Sequence, residues 1–252
     1  MYKRILTVVM ALAFMVGLSG MALASNTADV DQSGTDNEAY INQVGGSPNN
    51  NTIDIDQVAG TTNDAVVYQN GSGNDVDVIQ NASSGYNSLY VEQVGNGMGN
   101  GDNNILDLFQ AAGTNNDAVV YQWGNGNVAN VSQTADLSND FYVEQNGDSN
   151  VLVGANSDGT INPSQAATQI SEDSNYLSCV QSGDGNEAGL YQNASSFNYA
   201  SITQDNGGNF LVAWQNAPGG SNELTSSQDG GMTAVVIQNA ISGNNVASIS
   251  QY

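Results

Sequence analysis

The sequence predicts an all-β fold: a β-solenoid of about nine coils, with two strand-turn units per coil and cross-β arches stacked through ladders of Asn and Gln. Three observations support this prediction. A seven-residue segment occurs unchanged as Asn63–Gln69 and Asn116–Gln122. The residues of this segment alternate as in a strand, and Gly- and Asn-rich turns separate its variants.

The repeated unit is an Asn followed six residues later by a Gln, with small or aliphatic residues at the second and fourth positions after the Asn. Sixteen segments between Asn26 and Gln251 match this unit in full. Three more are degenerate: Asn150–Asn156, one that ends at Gln169, and Met232–Gln238. The nineteen units follow one another so closely that we predict one repeat domain over residues 25–252.

Each unit has one constant side and one variable side. In Asn63–Gln69 the Asn, the Ala, the second Val and the Gln share one side, because successive side chains of a strand point to opposite faces. This side stays small, aliphatic or amide-bearing in the other units, whereas the opposite side ranges over Asp, Glu, Tyr, Ser, Thr, Val and Trp. The constant side is therefore predicted to be the interior.

The inward Asn and Gln residues need a partner for every amide donor and acceptor. Identical amides stacked at the strand spacing of about 4.8 Å supply these partners, because each amide can bond the one above and the one below. An antiparallel meander or sandwich would explain the alternation but not the fixed Asn and Gln. The predicted structural ladder includes Asn63, Gln69, Asn74, Gln80, Asn116, Gln122, Asn127, Gln133, Asn186, Gln192, Asn245 and Gln251.

Residues 1–24 are predicted to be a secretory signal peptide. Lys3 and Arg4 precede an apolar run over residues 5–16, and residues 22–24 supply a small-x-small cleavage site. The apolar run is short for a membrane span. We therefore expect a secreted protein that begins at Ser25.

The predicted secreted part is strongly acidic. Lys3 and Arg4 are the only basic residues and the chain has no His, so all 25 acidic residues remain without a cationic side chain. This charge disfavours nucleic acid and anionic membranes as partners. Cys179 is predicted to be a buried small apolar residue, because other units have Val or Ile at its position. We predict no enzyme, no catalytic residue and no cofactor, because the usual catalytic residue types are missing.

Three stretches resemble the repeat of the curlins, the subunits of bacterial curli amyloid fibres: Gln69–Gln80, Gln122–Gln133 and Gln181–Gln192. Each reads Gln-x-Gly-x-Gly-Asn-x5-Gln, and the closing Asn245–Tyr252 is similar to the final repeat of major curlin subunits. The resemblance implies an extracellular cell-surface fibre that is a homopolymer of the subunit, with roles in biofilm matrix and adhesion. It also implies a nucleator subunit and an outer-membrane secretion pore as partners.

We therefore expect a secreted structural subunit that polymerises end to end. The first unit, Asn26–Gln32, and the last, Asn245–Gln251, match the repeat as well as interior units do. We expect neither end to be capped, so that each end templates another copy. The alternative is a monomeric secreted β-solenoid that binds cations or polysaccharide.

The outward positions differ between alternate units counted from Asn26. Those of odd-numbered units include Asp29, Asp54, Asp77 and Asp107, which would stack as a carboxylate column. Such a column is either a solvated acidic face that resists premature aggregation or a speculative cation-binding ladder suited to Ca²⁺; no defined metal site is predicted. We expect the aromatic–aliphatic strip of the even-numbered units to bundle fibres laterally or to contact a host surface or matrix glycan. This tyrosine strip consists of Tyr40, Val66, Tyr68, Tyr90, Val119, Tyr121 and Tyr142.

Overall fold

The computed structural model describes residues 26–44, 50–58, 63–81, 87–95, 103–111, 114–135, 137–155, 160–162, 165, 167–171, 175–194, 198–217, 220–239 and 243–252. Every regular element within these ranges is a β-strand. The same residues contain no helix with the length and hydropathy needed to cross a membrane. The predicted signal peptide lies outside the described residues.

The strands lie in two sheets, and the all-β assignment is confirmed. The first sheet contains β1 (Thr27–Gln32), β3 (Thr52–Val58), β5 (Asp75–Asn81), β7 (Ile105–Ala111), β9 (Val128–Ala135), β11 (Val151–Ala155), β12 (Ile161–Asn162), β13 (Ala167–Ser171), β15 (Glu187–Ala194), β17 (Phe210–Ala217) and β19 (Thr233–Asn239). The second sheet contains β2 (Glu38–Val44), β4 (Asn63–Asn70), β6 (Asn87–Val94), β8 (Thr114–Trp123), β10 (Leu137–Asn146), β14 (Asn175–Ser182), β16 (Asn198–Asp205), β18 (Gly220–Asp229) and β20 (Gly243–Gln251).

The strands alternate between the two sheets along most of the chain. The hydrogen-bonded order is β1-β3-β5-β7-β9-β11-β15-β17-β19 in the first sheet and β2-β4-β6-β8-β10-β14-β16-β18-β20 in the second. Two consecutive strands with their turns therefore make one coil. The predicted β-solenoid with two strand units per coil is confirmed.

Neighbouring strands of a sheet are parallel and pair at equivalent positions of the repeat. Gln57 aligns with Gln80 in the first sheet, and Asn63 aligns with Asn87 in the second. The alternative of an antiparallel meander or sandwich is wrong, because among the pairings between described strands only that of β11 with β12 is antiparallel. A fixed register lets each inward side chain lie on its chemical equivalent one rung away.

The apolar core lies between the two sheets and consists of the second and third inward positions of each unit. Ile53, Ile55, Val67 and Val78 have no exposed surface, and a single cluster of such residues continues from rung to rung. Each inward Val, Leu or Ile contributes on the order of 1.5–3 kcal/mol when fully buried. The prediction that the constant side of the unit is the interior is therefore confirmed.

The turns allow close stacking only where the side chain is absent. Gly124 and Gly147 occupy the same turn position in successive rungs, with φ of 111° and 126°. A Cβ atom added to Gly124 would lie 2.1 Å from the carbonyl oxygen of Gly147, and one added to Gly147 would lie 2.3 Å from that of Gly183. Glycine is required at this position both by its backbone angle and by the approach of the next turn.

β11 and β13 together form one rung of the first sheet. Both pair with β9 on one side and with β15 on the other, and Gln169 aligns with Gln133 and Gln192. β12 lies between them in the chain and pairs with β11 in the antiparallel direction. The prediction of two degenerate units, Asn150–Asn156 and one that ends at Gln169, is therefore wrong. Asn150 opens and Gln169 closes a single unit, which an insertion splits beyond the reach of a seven-residue pattern.

Candidate assembly surfaces

An unbroken ladder of Gln side chains follows the inner side of the second sheet. Each Nε2 donates to the Oε1 of the Gln one rung nearer the C-terminus, over 2.7–3.1 Å. The same direction holds in the first sheet from Gln32 to Gln133 and from Gln192 to Gln238. The members in the second sheet are Gln43, Gln69, Gln93, Gln122, Gln145, Gln181, Gln204, Gln228 and Gln251.

The same Gln amides also join the two sheets. Besides its bond within the ladder, the Nε2 of Gln122 donates to the Ile105 carbonyl oxygen at 3.1 Å, and that of Gln228 donates to the Phe210 carbonyl oxygen at 3.2 Å. Both amide hydrogens are thus used in a fully buried side chain. This pairing offsets the cost of placing an amide in the interior.

The Asn side chains of the second sheet form an amide-to-amide ladder, as predicted. The Nδ2 of Asn63 donates to Oδ1 of Asn37 at 3.1 Å, and Asn87 donates to Asn63 at 2.9 Å. Asn245 continues the pattern with a 3.2 Å bond to Asn222. These bonds point toward the N-terminal end, opposite to the Gln ladder. For Asn116 the structure describes the backbone alignment with Asn87 but not the side chain.

The Asn side chains of the first sheet act differently. Each Oδ1 accepts a hydrogen bond from the backbone N–H of the residue that opens the unit one rung nearer the C-terminus in the same sheet, over 3.0–3.4 Å. Asn74 and Asn127 follow this pattern without an amide-to-amide bond, so the expectation that every Asn bonds the amides above and below is wrong for them. An amide-to-amide bond is present in this sheet from Nδ2 of Asn209 to Oδ1 of Asn186 at 3.0 Å. The backbone N–H of the residue that opens each unit lies at the boundary between turn and strand. Its acceptor is the Asn side chain one rung nearer the N-terminus.

The inward residues at the two ends of the solenoid are less buried than their equivalents inside it. Val30 of β1 is 37% exposed, whereas Val78 at the equivalent position of β5 has no exposed surface. Ile41 of β2 and Ile249 of β20 are half-buried and pack against the core from opposite ends. Both ends therefore expose side chains of the kind that is buried inside the solenoid.

A groove of about 740 Å³ opens at the C-terminal end. It lies where β19 and β20 come last in their sheets, and its lining includes Val236, Gln238, Asn245, Ala247 and Ile249. These are inward positions of the repeat. The groove is thus the exposed end of the core, with amide groups beside apolar side chains.

The predicted carboxylate column is aligned in the first sheet. Asp29, Asp54, Asp77 and Asp107 pair in successive strands, and Asn130 follows them. Partial burial raises the pKa of Asp54, Asp77 and Asp107, and neighbouring carboxylates raise it further. Among the residues described, no group of three or more His, Cys, Asp or Glu side chains is arranged to hold a metal ion. Cation binding by the column stays a prediction.

The tyrosine strip is also aligned, on the outer face of the second sheet. Tyr40, Val66, Tyr90, Val119 and Tyr142 pair in successive strands. The ring centroid of Tyr121 lies 5.7 Å from that of Tyr90 and 6.2 Å from that of Tyr142. The Tyr90 and Tyr142 hydroxyls donate to Glu92 and Glu144, so the strip is edged with carboxylates.

Cys179 is fully buried in the core, as predicted. Its Sγ occupies the third inward position of β14, next to Val143 and Ile202 in the neighbouring strands. Burial raises the pKa of the thiol to about 12. The side chain is therefore an apolar filler of the column rather than a nucleophile.

The sequence pattern did not predict a further ladder, which lies in the turns. The Oδ1 of Asp148 accepts the backbone N–H of Asn125 at 2.8 Å, and the Oδ1 of Asp184 accepts that of Asp148 at 2.9 Å. These carboxylates fix one turn on the next. The signal was present as an Asn or Asp directly after the first turn glycine in successive units.

The model of the curlin associated repeat matches residues 24–47 and 49–81. These stretches contain β1 and β2 in the first case and β3, β4 and β5 in the second. No curated protein sequence and no solved structure matches the chain.

Proposed function

The chain is a member of the curlin-repeat family, and on this premise we propose that it is the structural subunit of an extracellular amyloid fibre into which copies polymerise end to end. The observation that carries the proposal is the exposure of interior residues at both ends of the solenoid. Exposed parallel strand edges with an apolar centre favour the addition of another strand pair.

The two ends are complementary in sequence. If a second copy continues the register, β1 of that copy lies on β19, and Ala28, Val30 and Gln32 meet Ala234, Val236 and Gln238. In the second sheet β2 of the added copy lies on β20. Ala39, Ile41 and Gln43 then meet Ala247, Ile249 and Gln251, respectively. Each of these six pairs joins residues of the same kind, as equivalent pairs inside the solenoid do.

The direction of the amide ladders selects a head-to-tail contact. Gln228 donates both to a backbone carbonyl and to Gln251, whereas Gln251 makes the backbone bond to Thr233 and points its amide toward the open end. Gln43 continues the ladder from the other end, where its Oε1 is the group that an added donor would meet. Two copies joined by like ends would place donor on donor or acceptor on acceptor. Head-to-tail addition instead pairs donors with acceptors.

The biological setting of the proposal follows from the curlin resemblance. We infer secretion through an outer-membrane pore, nucleation by a separate subunit, and a role in biofilm matrix and cell adhesion. The interior of the solenoid repeats the same Asn, Gln and aliphatic residues, and the described residues form no group typical of a catalytic site. Both features support a structural rather than an enzymatic role. The absence of Lys, Arg and His from residues 25–252 supports partners that are not anionic.

The tyrosine strip is the surface we propose for lateral contacts, either between fibres or with a host surface or matrix glycan. Aligned aromatic rings provide apolar area, while Glu92 and Glu144 provide hydrogen-bond acceptors. Replacement of Tyr68, Tyr90 and Tyr121 by Ser should leave single fibres intact but reduce bundling and adhesion. Unchanged bundle width and adhesion would show that the tyrosine strip does not mediate lateral contacts.

The proposed function is tested with the purified secreted chain. Negative-stain microscopy after a day in buffer should show unbranched fibres, and fibre diffraction should show a meridional spacing of about 4.8 Å. Seeds made from these fibres should shorten the lag of fresh protein. A chain that remains monomeric at high concentration, with or without seeds, would support the monomeric solenoid instead.

A further inference from the structure

One position of the repeat differs at the C-terminal end of the first sheet. The residues that open the units of this sheet are Asn26, Asn51, Asn74, Asn104, Asn127, Asn150, Asn186, Asn209 and Met232. From Asn51 onward, the backbone N–H of each donates to the Oδ1 of the one before it, ending with Met232 N–H to Asn209 at 3.0 Å. Met232 thus donates its own backbone hydrogen bond to Asn209 but has no amide oxygen with which to accept the next one.

This difference has no effect within the chain, because Met232 opens the last unit of the first sheet. It matters only when a second copy is added. The backbone N–H of Asn26 in that copy would then face the thioether of Met232, which is a weak acceptor. Each described step inside the first sheet has an Asn oxygen at this point, so only the junction between copies lacks it.

The second sheet has no such defect. Asn245 opens its last unit and already donates to Asn222, so its Oδ1 is placed to accept from Asn37 of an added copy. Gln238 and Gln251 likewise supply the donors that continue both Gln ladders. Each junction is therefore complete on one sheet and one hydrogen bond short on the other.

We infer that Met232 makes the junction between copies the weakest step of the fibre, so that fibres break and shed subunits between copies rather than within a copy. This inference rests on the proposed end-to-end polymerisation. A buried backbone N–H without an acceptor weakens the contact that contains it. Met232 is then the residue that sets how readily the polymer dissociates.

The test compares Met232→Asn with Met232→Leu and wild type. Met232→Asn restores the acceptor and should lower the monomer concentration in equilibrium with fibres by about 10-fold, whereas Met232→Leu, which has no acceptor, should resemble wild type. Fragmentation under constant shear should slow in Met232→Asn only. Thermal unfolding of the unassembled chain should be alike in all three, because Met232 keeps its backbone bonds to Asn209 and Phe210.

Hydrogen exchange in the fibre gives a second readout. The Asn26 amide should exchange much faster than the Asn51 amide in wild-type fibres and become protected in Met232→Asn fibres. Equal equilibrium concentrations and equal Asn26 protection in the three proteins would overturn the inference while leaving polymerisation intact. A wild-type chain that forms no fibres would overturn both.

Discussion

The interior rungs and the terminal rungs have nearly the same sequence pattern but very different environments. Gln57 is fully buried between two equivalent Gln residues, whereas Gln32 at the end of the same column is exposed and has one. Val30 and Val78 differ in the same way. Among the strands that the structure describes, the terminal rungs are thus interior rungs without a neighbour on one side. Under the proposed end-to-end polymerisation, this difference, rather than any special motif, would favour the addition of another copy.

The largest expected effect comes from a charge placed inside a terminal rung. Ile249→Asp puts a carboxylate at a half-buried inward position of β20, which an added copy would cover with Ile41. Because an unpaired charge is expensive in a dry interior, seeded elongation should slow by at least about 100-fold. Ser250→Asp adds the same charge on the outward side and is the matched control. Similar elongation rates for the two variants would show that β20 is not at the growing contact.

A ladder residue should matter differently inside the solenoid and at its end. Gln122→Ala leaves the Nε2 of Gln93 and the Oε1 of Gln145 without their partner, and should lower the free energy of unfolding by about 1–3 kcal/mol for each group. Gln251→Ala leaves the Nε2 of Gln228 without its ladder acceptor, but water can replace that acceptor at the open end, so unfolding should still change little while elongation slows. The outward Ser248→Ala is its control. Denaturant titrations and seeded growth measure the two effects separately. If both Gln variants changed the same quantity, the distinction between rungs would be wrong.

One interior position has the wrong chemistry for its environment. Ser226 lies between Ile202 and Ile249 in the inner column of the second sheet, and its buried hydroxyl has no hydrogen-bond partner in the structure. Ser226→Val removes the unpaired hydroxyl and adds apolar surface, so the free energy of unfolding should rise by about 1 kcal/mol. Ser227→Val on the outward side should change it by less than about 0.5 kcal/mol. A loss of stability in Ser226→Val would mean that the column has no room for the added methyl group.

Most of the fold could be predicted from the sequence because one short pattern determines both the strand and its position. The period-two alternation fixes which side is buried, and the Asn and Gln fix the register, since a slip of one residue would place amides against aliphatic side chains. The alignment of Asp54 with Asp77 and of Tyr90 with Val119 followed directly. The burial of Cys179 in the inner column could be predicted for the same reason.

The features that were not predicted depend on geometry that the sequence pattern does not encode. The split unit of β11 and β13 was missed because its two halves are separated in sequence and meet only in the sheet. The two roles of Asn were missed because Asn74 and Asn87 occupy the same place in the repeat. Whether such a residue bonds an amide or a backbone N–H depends on how the preceding turn enters the strand. The proposed effect of Met232 at the junction follows only from the arrangement in which an Asn side chain accepts a backbone N–H.

The smallest expected effect concerns the outer face near the N-terminal end, where the aligned carboxylates of neighbouring rungs repel each other. Burial and the adjacent carboxylates raise the pKa of Asp54 and Asp77 in the folded stack above the ordinary value of 3.8. A group whose pKa is raised by folding binds protons more readily in the folded state, so the stack is least stable at neutral pH. It gains stability as the pH falls through the folded pKa toward about pH 4. Assembly should therefore be moderately faster near pH 4 to 5 than at pH 7.

Substitution of this column separates its two interpretations. Asp54→Asn with Asp77→Asn should speed assembly at neutral pH and reduce the pH dependence, because the aligned charges are removed. Millimolar Ca²⁺ should speed assembly of the wild-type chain under either interpretation. Only a specific cation ladder predicts that the double substitution abolishes most of the calcium response; a solvated acidic face predicts that the response is only reduced, since Asp29, Asp56 and Asp107 remain. Assembly rates that ignore pH, calcium and both substitutions would show that the column is too well hydrated to oppose stacking. The terminal rungs would then differ from the interior rungs only in their inward residues.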